Sequence, residues 1–267
     1  MTSLKLCLWQ PQAKDITAAI SDRLADLNDA AQAASSSQAQ LIITPEMYAT
    51  GYNIGATRVA ELAEPLGGPI LNRTADIAKS HGIAILIGFP ELGESGQVYN
   101  SAAFIDEQGQ LLNVYRKTHL YGEVDRTQFS AGDSLCTPFE FQGWRFASAI
   151  CYDIEFPEVA RHYAQAGADV LLVPTANMAP FDSVATRLVP ARAEENGLYV
   201  AYANYCGSEA PFNYCGLSCL CAPDGEDIVR AGRNAELIYG EISRQNLQAT
   251  RQLSPYLQGI RPNLYAN

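Results

Sequence analysis

Trp144-Arg-Phe-Ala-Ser-Ala-Ile-Cys-Tyr-Asp-Ile-Glu-Phe-Pro157 is the stretch whose reading decides the fold. Trp144, Phe146, Ser148 and Ile150 share one side of a period-two pattern, and Arg145, Ala147 and Ala149 share the other. A run this apolar predicts a strand covered on both faces. Pro157 suits the first turn of a helix, where its missing N–H costs nothing, and Glu158–Gln165 continues that helix towards Gly167. Cys151 is therefore expected on a tight strand-to-helix connection near a helix N-terminus. Free N–H groups and the helix dipole there favour a thiolate over a thiol. A cysteine alone is more often a small buried hydrophobe. A nucleophile also needs a base and a site for the developing oxyanion.

The same strand-then-polar-residue design recurs on both sides. Upstream, Leu4, Leu6 and Leu8 alternate as a first strand. Asp15 is placed to cap a helix that carries Ile16, Ile20, Leu24, Leu27 and Ala31 on one face. The apolar strand Leu41–Thr44 stops at Pro45 and leaves Glu46 at its carboxyl end, the edge where sheets fed by strand–helix units bind ligands. A helix is predicted from about Pro69 to Gly82, then a buried strand Ile83–Ile87. Val98–Ile105 and Leu111–Tyr115 form a hairpin that delivers Lys117 to a polar loop running from Thr118 to Asp133.

Downstream, Phe139–Phe141 forms a hairpin with the Trp144 strand, and Val170–Pro174 runs into the polar loop Thr175–Met178. A helix over about Ser183–Glu195 contains Pro190, which predicts a kink or a late start. Leu198–Ala203 is a strand, and Leu217–Ala222 with Ala235–Ile242 are expected to form a last hairpin. The segment after Arg244 reads as a polar tail packing on a neighbour or a second subunit. This order predicts two halves of like architecture, each with helices on one face of a sheet. The fold class is α/β, a four-layer α-β-β-α sandwich of two mixed sheets packed face to face. No linker composition divides it, so residues 1–267 are expected to form one domain.

The chain has 267 residues, 48% hydrophobic and 18% charged, with a net charge of −11. That acidity argues against a nucleic-acid partner. No stretch reaches the roughly 18 to 20 apolar residues of a membrane span, and no basic leader is visible at the N-terminus, so a cytoplasmic location is expected. The seven cysteines do not suggest a disulfide framework. Cys215, Cys219 and Cys221 lack the paired spacing of a zinc site, and none of the three histidines is near them in sequence. No metal or cofactor is expected.

Thr44-Pro-Glu-Met47, Tyr115-Arg-Lys-Thr-His119, Ile150-Cys-Tyr-Asp153 and Arg192-Ala-Glu-Glu-Asn-Gly-Leu-Tyr199, in this order, resemble the nitrilase superfamily of carbon–nitrogen hydrolases. The resemblance covers the chain from the first strand to about Ile242. It implies a four-layer sandwich and a Glu–Lys–Cys triad, with Glu46 as base, Lys117 as cationic stabiliser and Cys151 as nucleophile. The family also carries a second acid after the lysine, and here both Glu123 and Asp125 are candidates. Thr175–Met178 and Arg192–Tyr199 look most like the aliphatic and stereoselective amidase branch.

That branch implies an amidase that hydrolyses small carboxamides to acid and ammonia through a thioester. A nitrilase or an N-carbamoyl-amide hydrolase is the enzymatic alternative. A non-catalytic interaction module would have lost a triad residue, and an acyl transferase would pass the acyl group to an amine. Tyr48, Tyr52, Tyr121, Tyr152, Asn177 and Met178 follow the strand ends and are the candidate substrate-binding residues. The acidic stretch after Cys151 favours a neutral or cationic amide over an anionic one. Asp153 and Arg192 are expected to form an ion pair that fixes the Cys151 turn. A homodimer or higher homo-oligomer is expected through Val159, His162 and Tyr163 together with Leu253, Tyr256, Leu257, Ile260 and Leu264 of the tail.

Overall fold

A computed structural model describes residues 2–264. The first sheet contains β1 (Ser3–Gln10), β2 (Leu41–Ile43), β3 (Ala84–Leu92), β4 (Val98–Ile105) and β5 (Leu111–Arg116). The crossovers from β1 to β2 and from β2 to β3 carry helices α1 (Ile20–Ser36), α2 (Ala56–Leu62) and α3 (Pro69–His81), so those three strands run parallel. Tight turns then return β4 and β5 antiparallel. Helix α4 (Gly122–Gln128) lies in the segment read as a plain polar loop.

The second sheet repeats the plan with β6 (Phe139–Phe141), β7 (Trp144–Ser148), β8 (Val170–Pro174) and β9 (Tyr199–Ala203). Helices α5 (Pro157–Gln165) and α6 (Val189–Glu194) supply its parallel crossovers. A small hairpin of β10 (Cys206–Glu209) and β11 (Phe212–Cys215) follows, unforeseen in the sequence. Then come β12 (Cys219–Cys221), β13 (Asp227–Arg230), β14 (Glu236–Ser243) and α7 (Arg244–Leu253).

Strand alternation sorts the core into three apolar layers. Leu4, Leu6, Leu8, Leu41, Ile43, Leu86 and Phe104 face Trp144, Phe146, Val170, Leu172, Tyr199 and Leu220 between the sheets. Cys7, Ile42, Ile85 and Ile87 point the other way and pack on Leu24, Leu27, Ile70 and Ile77 of α1 and α3. Ala147, Leu171, Val173 and Val200 likewise meet Val159, Tyr163 and Val189 of α5 and α6. The result is an α/β fold with two mixed sheets face to face and helices outside.

Of the two outcomes foreseen for Pro190 the late start is the one found: a π-helical turn, Val184–Leu188, comes first, and α6 begins at Val189 with the proline in its first turn. Three other local expectations need correction. Asp15 caps only a turn, accepting from the backbone and hydroxyl of Thr17 at 2.8 and 2.6 Å; α1 starts at Ile20 and Ile16 is exposed. The last hairpin pairs β12 with β13, whereas β14 crosses to the first sheet and lies antiparallel to β1 over eight residues. β14 matches β1 in length, and β12 offers only three residues. The tail past Arg244 contains α7, which docks on its own chain: Leu247 is buried, and Arg244 and Arg251 both reach Asp169, at 2.7 and 3.1 Å.

Candidate active site

Each catalytic candidate arrives on a strand end that local packing fixes. Glu46 lies on a turn after β2 in which Met47 adopts a left-handed φ of 53°. The turn crosses so close to Gly88 that a Cβ there would sit 2.4 Å from the Met47 nitrogen, so only glycine fits. Lys117 follows β5, its N–H bonded to the Asn100 carbonyl and its C=O to the Gly132 N–H. Cys151 opens a five-residue 3₁₀ turn, Cys151–Glu155, with a left-handed φ of 48°. For a cysteine that conformation is strained and persists only because its surroundings over-determine it.

Asp153 supplies much of that determination. Its carboxylate accepts from the Ile150 N–H, the Tyr115 hydroxyl, the Thr118 hydroxyl and the His119 N–H, all at 2.8–2.9 Å, and lies 2.8 Å from His119 Nδ1. The expected Asp153–Arg192 ion pair does not form. Arg192 instead donates to the carbonyls of Ile154 and Glu155 at 3.1 and 2.8 Å and pairs with Glu195 at 3.2 Å. The end of a 3₁₀ turn leaves carbonyls without partners, and a guanidinium satisfies them well. Arg192 thus holds the Cys151–Glu155 turn through its backbone.

Glu46 and Lys117 meet directly, and Cys151 lies within reach of both charges. Lys117 Nζ lies 2.7 Å from Glu46 Oε1 and 2.6 Å from Asp125 Oδ2, and all three side chains are fully buried. Asp125 is thereby the acid that joins the cluster. Glu123 does not: it is exposed and faces Arg126 at 3.6 Å on the solvent side of α4. Asp125 also accepts from the Tyr52 hydroxyl at 2.9 Å and the Tyr121 N–H at 2.8 Å. Asn100 donates to Glu46 Oε1 at 2.7 Å. The other oxygen, Oε2, is buried without a hydrogen-bond partner among the described residues.

Electrostatics set the resting protonation. Burial alone would lower the Lys117 pKa, but the charges of Glu46 and Asp125 outweigh it and hold the ammonium well above its usual range. Burial raises the Glu46 carboxyl, opposed by Lys117 and reinforced by Asp125, so Glu46 is a stronger base than an ordinary carboxylate. Cys151 departs from the sequence reading: burial, then the Glu46 charge, raise its pKa, and Lys117 recovers only part of the shift. Its own turn is too short to bring the field of a long helix. These surroundings favour the thiol over the thiolate.

The binding candidates divide. Tyr52 is fixed at both ends, its hydroxyl on Asp125 and its backbone N–H on Glu209 at 3.2 Å. Tyr121 and Tyr152 are half-buried, with rings 5.4 Å apart edge to face, and Tyr121 also meets the Phe181 ring at 6.2 Å. Tyr48 turns away: its ring packs on Trp9 at 4.8 Å and its hydroxyl donates to the Arg23 carbonyl at 2.6 Å. Asn177 is buried and uses its amide on the Phe181 carbonyl at 3.0 Å. Met178 joins the apolar layer beneath α1 and α3. Asn100 was missed in the sequence, although Asn100-Ser101 is a polar pair inside an otherwise apolar strand. Cys219, Cys221 and Asp227 bring ligand-type atoms within 4.8 Å of one another, but Arg230 grips both Asp227 oxygens at 2.6 Å and a cation would have to displace it.

The family model for carbon–nitrogen hydrolases matches residues 8–252. A hydrolase encoded in the pqqF 5′ region of Pseudomonas protegens is 52% identical over 85% of this chain and 80% of its own. An (R)-stereoselective amidase of a Pseudomonas species is 35% identical over 83% and 79%. Among solved structures, a mutant of an amidase from a Nesterenkonia species in complex with butyramide superposes with a TM-score of 0.85 at 31% identity, covering 98% of this chain and 95% of that one. Another mutant of that amidase, with the acetamide moiety of fluoroacetamide added at its active-site cysteine, gives 0.84 at the same identity, covering 98% and 95%. Glu46, Lys117 and Cys151 meet inside a sandwich of this shape, and the chain belongs to the carbon–nitrogen hydrolase family, in the amidase-like branch of the nitrilase superfamily, a cysteine-dependent hydrolase of C–N bonds.

Proposed function

We propose that this enzyme is an amidase of small carboxamides, with Cys151 as nucleophile, Glu46 as base and Lys117 as oxyanion stabiliser. The observation that carries the reading is the free Glu46 Oε2, buried in the cluster that acts on the Cys151 thiol. As Sγ attacks the amide carbon, its proton passes to Glu46. The oxygen gains negative charge, and the Lys117 ammonium and Tyr152 N–H receive it. Collapse breaks the C–N bond. Glu46 returns the proton to the nitrogen, and ammonia leaves a thioester on Cys151. Water then gives a proton to Glu46 as its oxygen attacks the thioester carbon; the C–S bond breaks, the departing sulfur takes that proton back from Glu46, and the carboxylic acid is released. Asp125, 2.6 Å from Lys117 Nζ, holds the ammonium in place beside Glu46.

The test scores ammonia release from butyramide, prolinamide, a nitrile and 3-ureidopropionate, with Cys151→Ala as control. Amide turnover lost in that variant supports the reading. A preference of more than about tenfold for the ureido acid or the nitrile, roughly 1.4 kcal/mol, would overturn it. Residues 1–267 act as one catalytic domain in this reading, although residues 1 and 265–267 lie outside those described. The seven free cysteines suit a reducing compartment such as the cytoplasm. No helix among the described residues is long and apolar enough to cross a membrane.

The same reading includes a homodimer, on altered grounds. Val159 and Tyr163 are buried within the chain and offer nothing to a partner. Leu253, Tyr256 and Leu264 are 85%, 53% and 57% exposed, a run of apolar groups that a symmetric contact would cover. Light scattering at micromolar concentration should give a dimer mass, and Leu253→Asp should shift it towards monomer.

A further inference from the structure

The 3₁₀ turn that begins with Cys151 ends with Glu155. In such a turn residues three apart eclipse, so Tyr152 and Glu155 share its outer face, while Asp153 and Ile154 between them are buried. Tyr152 in turn meets Tyr121 at 5.4 Å, and Tyr121 meets Phe181 at 6.2 Å. The Glu155 carboxylate is near enough to this set of rings for its charge to act on Tyr121, and near enough to Lys117 to feel the ammonium.

This carboxylate is half-buried and makes no side-chain hydrogen bond or ion pair among the described residues. Burial raises its pKa, and the opposing charges it feels are those of Lys117 and Arg192. Glu155 in turn acts on Tyr121 together with Cys151. Neither cation is free to neutralise it. Lys117 is held between Glu46 and Asp125, and Arg192 is held by two carbonyls and Glu195. In the buried cluster two carboxylates share the one ammonium of Lys117, and Glu155 places a further carboxylate near it without a cation of its own. Two other arginines on the flanking segments are also engaged elsewhere: Arg161 donates to the Glu195 carbonyl at 2.8 Å, and Arg116 is bonded to Glu91 and lies over the Tyr99 ring at 4.2 Å.

We infer that Glu155 and these rings form a subsite for an ammonium group, so that the preferred substrates are primary carboxamides bearing an amine a few bonds from the scissile amide. Glu155 supplies the counter-charge, and the rings of Tyr121, Tyr152 and Phe181 supply faces and edges around it. A cation over such rings gains from their quadrupoles, and an anion would meet uncompensated negative charge. This subsite rests on the amidase reading for its chemistry, but its charge preference is open to measurement without turnover.

The isosteres 4-aminobutyramide and pentanamide differ only in an ammonium for a methyl. Their kcat/KM ratio is measured for the wild type and for Glu155→Gln, and their binding to Cys151→Ala and to Cys151→Ala/Glu155→Gln is measured by calorimetry. The wild type should favour the ammonium compound at least about fivefold, in turnover and in binding, and the glutamine should bring both ratios to within about twofold of one. Raising the salt concentration should shrink the wild-type preference. A wild-type ratio near one, or a preference that survives Glu155→Gln, overturns the subsite. If neither amide is hydrolysed while Cys151→Ala still binds the ammonium compound preferentially, the subsite stands and the amidase reading falls.

Discussion

The Tyr52 hydroxyl donates to Asp125 Oδ1 at 2.9 Å, tying the turn beyond β2 to α4 directly behind Lys117. Glu209 holds the other end of the same residue, accepting from the N–H groups of Tyr52 and Asn53 at 3.2 and 2.9 Å and from the Tyr214 hydroxyl at 2.6 Å. The β10–β11 hairpin therefore reaches Lys117 through one tyrosine and Asp125. Tyr52→Phe removes only the hydroxyl. A hydrogen bond to a charged group contributes about 1.5–3 kcal/mol, so kcat should fall roughly 10- to 100-fold with KM nearly constant. A fall in melting temperature with kcat unchanged would make Tyr52 a packing residue only.

Glu46→Gln should separate two roles of one carboxylate. As the proposed base, its loss should lower turnover at least about 100-fold. As a negative charge, it raises the Cys151 pKa, so its loss leaves Lys117 acting unopposed by it and the thiol pKa should drop. Iodoacetamide alkylation of Cys151 should then reach its midpoint at a lower pH than in the wild type while hydrolysis disappears. A midpoint that moves up would show that Glu46 does not act on the thiol by charge.

Lys117→Met tests the buried cluster as structure. The substitution leaves Glu46 and Asp125 facing one another without a cation in a fully buried space. Breaking a buried pair in this way costs about 3–5 kcal/mol. Urea unfolding of the variant should show a loss of that size, partly recovered at acid pH where a carboxylate protonates. A loss under about 1 kcal/mol would mean that water or rearrangement relieves the site.

His119 sits against the Cys151–Glu155 turn, on Asp153 and stacked on the Phe156 ring at 4.1 Å. The hydrogen bond to Asp153 raises its pKa above the ordinary value of 6.5, helped by the charges of Asp153 and Glu158 and opposed by burial. A raised histidine pKa stabilises the fold fully below the unfolded value and loses that contribution as pH climbs through the folded one. The melting-temperature difference between wild type and His119→Asn should therefore be larger at pH 6 than at pH 9. An equal difference at both would place the histidine's contribution in packing alone.

The sequence showed the catalytic candidates because each is a polar residue stranded at the end of an apolar run, and a strand end has a direction. Strand alternation places Glu46, Lys117 and Cys151 at strand ends, and the resemblance of the motifs around them to the nitrilase superfamily is what joins the three into one expected site. Asp125 and Glu123 stayed undivided because the choice depends on α4, a short helix whose composition reads as loop; one acid turns inward and the other to solvent. Tyr48 and Tyr52 look alike in sequence, yet the strained turn at Met47 sends only Tyr52 to the cluster. Helix α7 escaped notice because it has little apolar surface: Leu247 is buried, and two arginines anchored on Asp169 hold the rest. Arg192 was assigned the right turn and the wrong atoms, since charge pairing is visible in a sequence and unpaired carbonyls are not.

The pairing of β14 with β1 bears on how this chain comes to be folded. The first sheet gathers five strands early in synthesis, but its edge at β1 stays open until residues 236–243 arrive. Until then Ser3–Gln10 presents a row of free N–H and C=O groups on a strand whose apolar side chains await the second sheet. A ribosome-bound fragment ending near residue 143 should thus be sticky rather than native, and the N-terminal half has no stage at which it can mature alone. The last strand serves as a latch: protease resistance of nascent chains should appear abruptly once β14 has emerged, and separately expressed halves should become soluble only when produced together.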